Sequence, residues 1–334
     1  MALDELTPRA MILAAGYGSR LGELGQRRPK PMLPVAGRPL VRWGADWLVH
    51  HGIRDIVVNL HHLGAQIEAE LGDGGAFGAR VAYSHEDGMI LGTGGGLRHA
   101  RARLDHGDGA PIVVANGKIV HDVDLGAVLA WHRSCGAEAT MVLREDREGA
   151  WGSPIRVDED GFVCALAGAT REASSPTKVS APLMFTGIHV LSPSLLDRIP
   201  SEGEQCVIRT AYVPAMREGR VAAYVHQGYW WEHSTPERYL RGVFNLLQGL
   251  VGPAWASAPT AGIDPTSSIH PSAKLVGPVR IGAGVRVGAG ARVGPLVQLD
   301  DESVVRPGSV VERAVVWSKA VVEGRVEDRV VTGE

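Results

Sequence analysis

Apolar residues return along this chain in two rhythms. From Ile263 to Trp317 an aliphatic or aromatic side chain recurs every six residues, through Ile269, Leu275, Ile281, Val287, Val293, Leu299, Val305 and Val311. Small or apolar residues such as Ala273, Val279, Val285, Ala291, Val297, Ser303 and Ser309 follow four places later, and Gly282, Gly284, Gly288 and Gly290 fill turns between them. A fixed six-residue period predicts a parallel β-helix, in which each step gives one short strand and one turn and stacked coils bury the repeating aliphatic. An alternating β-sandwich would not hold ten positions in phase.

The N-terminal rhythm differs. Continuous apolar runs at Ala10–Ala15, Asp55–Leu60, Pro111–Ala115 and Ala137–Leu143 predict strands buried on both faces. Helical spacing lies between them at Pro39–His51, Leu63–Leu71, Thr93–Ala102 and Leu125–Arg133. Pro39 suits a first helical turn and Gly52 a helix stop. Alternation of this kind predicts a doubly wound α/β domain with a parallel sheet. The expected organisation is therefore an α/β domain over 1–248, a linker over 249–262 rich in Gly, Pro, Ala and Ser, and a β-helix over 263–334.

Composition narrows the partners. The 334 residues carry 34 Lys and Arg against 37 Asp and Glu, a net charge of −3, so no global attraction to nucleic acid is expected. No run of 18 apolar residues predicts a membrane span, and residues 1–9 lack a signal-peptide pattern. Cys135, Cys164 and Cys206 lie far apart, without metal spacing, as expected of thiols in a reducing cytoplasm. Only five lysines occur (Lys30, Lys118, Lys178, Lys274 and Lys319), so a lysine inside a motif is informative.

Candidate chemistry begins after the first strand, at Leu13-Ala14-Ala15-Gly16-Tyr17-Gly18-Ser19-Arg20-Leu21 followed by Arg28-Pro29-Lys30-Pro31. A loop of small residues at a strand's C-terminal end lets backbone N–H groups approach phosphates. Arg20 and Lys30 add charged donors. A P-loop is excluded because Gly-Lys-Ser/Thr is absent. A dinucleotide fingerprint is excluded because Leu21 replaces its third glycine and no acid lies in 36–41. Taken alone, such a turn is also common on surfaces.

Other candidates give less. His50-His51 and His61-His62 are adjacent pairs that point apart, so they do not share a metal. Ser19 has no paired His for a hydrolase triad. Trp230-Trp231 could stack on a sugar or simply pack. Glu86 and Asp87 precede the Gly92–Gly96 loop and could face a ligand bound there, with exposure the default expectation for both.

With the Pro-Lys-Pro segment, the loop resembles the signature of the sugar-1-phosphate nucleotidyltransferases, or NDP-sugar pyrophosphorylases. The resemblance continues at Leu91-Gly92-Thr93-Gly94-Gly95-Gly96, at Val113-Val114-Ala115-Asn116-Gly117, and at Gly228-Tyr229-Trp230-Trp231-Glu232-His233-Ser234-Thr235-Pro236. It spans about residues 9–245. The hexapeptide tail resembles a left-handed parallel β-helix and, with the first domain, the architecture of GDP-mannose pyrophosphorylases. Such tails mediate oligomers, so a homo-oligomer is expected. A β-helix acyltransferase is disfavoured because His270 is the one histidine in the repeat.

The resemblance implies attack by a sugar-1-phosphate oxygen on the α-phosphorus of an NTP, giving an NDP-sugar and pyrophosphate. Guanylyl transfer to mannose-1-phosphate or a related sugar is favoured. It implies nucleotide contacts from Leu13, Ala15, Gly16, Gly18, Ser19, Gly92, Thr93, Asn116 and Gly117. Arg20, Lys30, Lys118 and Glu232 take catalytic positions, and Lys178, Gly187 and Trp231 sugar-phosphate positions. Mg²⁺ is the cofactor expected for the family.

Three departures stand out. The family's Asp after Asn-Gly binds Mg²⁺, and here that position is Lys118, which when charged has three donors and no lone pair. Glu232 stands at the second Asp and is the one remaining metal-ligand candidate. The family's Glu-Lys-Pro segment is missing, with only Arg171 and Lys178 nearby. A shifted alignment is disfavoured because Asp122-Val123-Asp124-Leu125 continues the family pattern. Lys118 then has three readings: an ammonium doing part of the metal's work, a chain that binds NDP-sugar without turnover as a regulatory homologue, or a substitution made to disable catalysis.

Overall fold

The computed structural model describes residues 6–171, 182–250 and 259–333. They gather into two compact units. One comprises the chain up to Gly16, Gly44–Gly117 and Val123–Trp230; the other comprises Tyr17–Trp43, Lys118–Asp122 and the chain from Trp231 onward. Most of the predicted linker, residues 251–258, lies outside the described residues, as do residues 1–5.

The first unit is built on a seven-stranded sheet. Its strands in chain order are β1 (Arg9–Leu13), β2 (Asp55–Leu60), β3 (Arg80–His85), β4 (Ile112–Asn116), β5 (Ala139–Glu145), β6 (Leu183–Leu191) and β7 (Val221–Val225). They lie side by side in the order β7-β5-β6-β4-β1-β2-β3. All four predicted runs are strands, and β1, β2, β3 and β4 are parallel to one another. β1 and β2 each lie between two parallel neighbours, and the predicted runs are buried along their length, which is why they are continuous rather than alternating. The sheet is mixed, because β6 runs antiparallel to both β4 and β5.

The helices fall close to their predicted places, at Leu40–His50, Gly64–Leu71, Gly92–His99 and Leu125–Cys135. The predicted 93–102 helix breaks at Ala100, and Arg101–Leu104 makes a separate turn. Pro39 is not in a helix: it ends a two-residue hairpin strand, Arg38–Pro39, paired with Pro34–Val35. The helix Leu125–Cys135 starts where the Asp124 carboxylate accepts a hydrogen bond from Ala127 N at 3.1 Å, and stops at Gly136 in left-handed conformation. Asp124 is thus a helix cap.

The second unit holds the β-helix. Gly262 pairs in parallel with Arg280, Ser268 with Arg286 and Lys274 with Arg292. Each partner is three six-residue steps further on, which is one coil of a left-handed parallel β-helix. Ile281, Val287, Val293, Leu299, Val305 and Val311 form its apolar core, as the period requires. Burying each such side chain contributes roughly 1.5–3 kcal/mol.

The period fails near its end. Leu299 pairs with Val316 rather than with Trp317, because the last coils are shorter. Trp317 leaves the ladder, and its indole N–H meets the Tyr239 hydroxyl at 3.2 Å. In this same unit the helix Pro236–Leu247 begins at Thr235, whose hydroxyl accepts from Arg238 N. Among the described residues no helix is long and apolar enough to cross a membrane.

Candidate active site

The implied site residues divide between the two units, and each part has its own geometry. In the first unit, Leu13 ends β1 and its carbonyl accepts a hydrogen bond from Gly117 N at 3.0 Å, so the chain after β4 turns back over the end of β1. Leu13 and Asn116 are register partners. Ala14 and Ala15 are buried, and a Cβ at Gly16 would meet nothing within 4 Å. The small residues therefore leave open space beyond the strand end.

Gly187 lies beside Asn116. It has φ +80°, and a Cβ there would stand 2.1 Å from Asn116 Nδ2. The ladder between β6 and β5 loses register between Phe185 and His189, which is where this glycine sits. Thr186 secures the irregularity: its hydroxyl donates to Val142 O at 2.7 Å, and its carbonyl accepts from Trp230 Nε1 at 2.8 Å. Trp230 is thereby a packed wall residue, buried against Trp151.

Gly92 and Thr93 open a helix. Thr93 Oγ1 accepts from Val207 N at 3.1 Å, so this hydroxyl is engaged within the protein. The turn before it is held by a residue expected at the surface. Glu86 is only 3% exposed; Asp87 beside it is exposed, as expected. One Glu86 carboxylate oxygen accepts from Asn59 Nδ2 at 2.7 Å and the other from Leu91 N at 2.7 Å. Asn59 Oδ1 in turn accepts from Ala14 N at 2.7 Å. This buried relay ties the end of β1 to the Gly92–Gly96 turn. A Cβ at Gly96 would reach 2.6 Å from Glu86 Oε1, so glycine is needed for the close approach. Sequence reasoning missed Asn59 and Glu86; the signal available was an Asn interrupting the apolar run of β2.

Glu86→Gln is expected to cost about 1–3 kcal/mol of stability, because two donors already face the carboxylate and an amide must turn its NH₂ toward one of them. Denaturant unfolding checks this; unchanged stability would remove the relay's importance.

The second unit carries the charge. Lys118 and Glu232 lie on neighbouring short strands, Ile119–His121 with its preceding residue and Trp230–Glu232. Lys118 Nζ meets Glu232 Oε2 at 2.8 Å, and Arg20 lies 3.9 Å from Glu232 Oε1. His233, fully buried, donates its backbone N–H to the Lys118 carbonyl at 3.0 Å and fixes the pairing. Burial pushes the His233 imidazole down to about 4, so it is neutral near pH 7. Lys30 starts a short turn after Pro29, and its stem passes Gly18. Burial, with Lys118 and Arg20 as like charges, lowers the Lys30 ammonium to about 8. Burial also raises Glu232, but the charge and hydrogen bond of Lys118, the Ser234 hydroxyl and Arg20 outweigh it and hold its carboxyl below the usual range. The result is three cations around one carboxylate, a surplus of positive charge that suits a polyanion.

Ser19 forms a short turn with Arg20 and Leu21. Trp231 donates its indole N–H to Arg238 O at 2.7 Å. Arg171 is ion-paired with Asp158 and is not a spare phosphate ligand. Lys178 lies outside the described residues.

The donor set does not fit Mg²⁺. That ion prefers several oxygen ligands in octahedral array. Here the central carboxylate is engaged by an ammonium, and two further cations surround it. Among the described residues no group of three or more His, Cys, Asp or Glu could hold a metal.

Parallel strands ending in a small-residue loop define an α/β fold whose ligands bind beyond the strand ends. Residues 9–246 match the nucleotidyl transferase family, and the chain belongs to it. The chain is 33% identical over 244 residues to mannose-1-phosphate guanylyltransferase of Mycobacterium tuberculosis, covering 72% of this chain and 65% of that one. It is also 33% identical over 230 residues to N-acetylmuramate alpha-1-phosphate uridylyltransferase of Neisseria meningitidis, covering 68% of this chain and 93% of that protein. The solved structure of HddC from Yersinia pseudotuberculosis has the same fold, with a TM-score of 0.57 at 22% identity, covering 71% of this chain and 98% of that one.

Proposed function

We propose that this protein transfers a nucleotidyl group from an NTP to a sugar-1-phosphate. The phosphate oxygen of the sugar forms a bond to the α-phosphorus, the bond from the α-phosphorus to the bridging oxygen breaks, and pyrophosphate leaves. Such a step needs little covalent protein chemistry; positioning and charge neutralisation dominate. The observation that carries this reading is the cluster of Arg20, Lys30 and Lys118 around Glu232 within a chain of this family. Leu13, Ala15, Gly16, Gly92, Thr93, Asn116 and Gly117 take the base, ribose and backbone-phosphate contacts, with Gly18 and Ser19 beside the cations. Gly187, Trp231 and Lys178 remain the proposed sugar-phosphate contacts.

Guanylyl transfer to mannose-1-phosphate is the favoured case, supported by the mycobacterial relative. The neisserial relative keeps a uridylyl donor within the test. Pyrophosphate release should be followed with GTP, UTP, dTTP and ATP against mannose-, glucose- and N-acetylmuramate-1-phosphates. Turnover with one pair identifies the substrates. Lys118 favours a second reading, an NDP-sugar-binding regulatory homologue. Tight NDP-sugar binding without turnover on any pair would select it.

A further inference from the structure

We propose that the Arg20, Lys30, Lys118 and Glu232 cluster is a metal-independent polyphosphate site, in which the Lys118 ammonium is a built-in counter-cation for the bound phosphates. The proposal rests on the nucleotide-binding reading above and deepens it. Lys118 is placed by β-pairing and by His233, not by a ligand, so its charge is present before anything binds. Its side chain is 25% exposed, and the partner carboxylate 14%. The ammonium has three donors. One goes to Glu232 at 2.8 Å, and the others have no protein partner among the described residues. Glu232 orients the ammonium and offsets part of the local repulsion, which is felt at Lys30 as a lowered proton affinity. The group still carries more positive than negative charge, so a triphosphate supplies the missing anions.

A divalent ion entering here would meet three cations and compete with Lys118 for the Glu232 carboxylate. Metal would also screen the phosphates from those cations. Free triphosphate should therefore bind at least as well as its magnesium complex. That is opposite to the order expected for a carboxylate pair that needs Mg²⁺ as a bridge to phosphate.

The test is calorimetric titration of the full chain with GTP, UTP and inorganic pyrophosphate, in EDTA and in excess Mg²⁺. The wild type is expected to bind in EDTA, with affinity equal or reduced when Mg²⁺ is added. Lys118→Asp should lose about 10–100-fold in EDTA, the scale of one charge-assisted contact made repulsive, and regain affinity with Mg²⁺. Lys118→Gln, one atom shorter, keeps a polar donor but removes the charge, and should weaken EDTA binding without creating a metal response. It also serves if the Asp variant does not fold. Wild-type binding that appears only with Mg²⁺ overturns the metal-free site and leaves the nucleotidyltransferase reading standing. No binding of any triphosphate under either condition overturns both.

Discussion

Gly187→Ala is expected to reduce nucleotidyl transfer by about 100-fold, the usual scale for a displacement of about 1 Å at a reacting centre. Two effects coincide at this position. Its φ of +80° is unfavourable for any residue with a Cβ, at about 1–3 kcal/mol. The added methyl would also stand 2.1 Å from Asn116 Nδ2, so the Asn116 side chain must move. Asn116 ends β4 opposite Leu13, and the chain after it turns back onto the Leu13 carbonyl through Gly117. A shift of Asn116 therefore reaches the loop proposed to hold the nucleotide. Steady-state kinetics and thermal unfolding separate the two effects. If displacement of Asn116 is the cause, Asn116→Ala combined with Gly187→Ala should cost less than the two single losses together. Full additivity would assign the loss to backbone strain alone.

Asp300→Asn should make the protein more stable above pH 7 and leave it nearly unchanged at pH 4. Asp300 is 5% exposed in the β-helix. Its Oδ1 accepts from Gln298 Nε2 at 2.8 Å, and its Oδ2 has no hydrogen-bond partner. Burial raises its carboxyl to about 7, against smaller opposing effects of Gln298, Arg280 and Arg28, with Asp301 adding to the rise. Tyr239, whose own hydroxyl is held up by burial and by Asp300, also faces it. The folded state thus holds a proton that the unfolded chain, titrating near 4, has already released. Stability from this group is complete below about pH 4 and is lost as pH rises to about 7, at about 1.4 kcal/mol per pH unit. A neutral Asn removes that slope. Denaturant unfolding of both proteins from pH 4 to 9 decides the matter; parallel pH profiles would show that Asp300 does not titrate in this range.

The same residue belongs to a buried polar junction that positions the Lys30 segment. Gln298 Oε1 accepts from Ala36 N at 2.8 Å, and Gln298 Nε2 donates to Pro34 O at 3.1 Å. Tyr239 donates to that carbonyl at 2.7 Å and accepts from Trp317. Arg28 lies 4.8 Å from the Trp317 ring centre. The hairpin that follows Lys30 is therefore anchored on residues some 260 positions away in sequence.

Much of this was legible in the chain. The six-residue period fixed the β-helix, because stacking turns a local repeat into a continuous core without long-range information. The continuous apolar runs of β1, β2, β4 and β5 marked strands buried on both faces. The motifs located Arg20, Lys30, Lys118 and Glu232 as one chemical group, and the missing Asp was visible as a lysine. What the sequence could not decide was partnership. A one-dimensional pattern reports the face a residue prefers, not the atom it meets across the fold. Only the tertiary structure placed Glu86 inside, where Asn59 and Leu91 satisfy its oxygens, and made Asp124 a helix cap. It also took Trp317 out of the repeat, because shorter last coils advance the register and leave the indole against Tyr239. Above all it set the Lys118 ammonium on the Glu232 carboxylate at 2.8 Å, a pairing that depends on two strands far apart in sequence and that turns a substituted motif into a fixed positive charge.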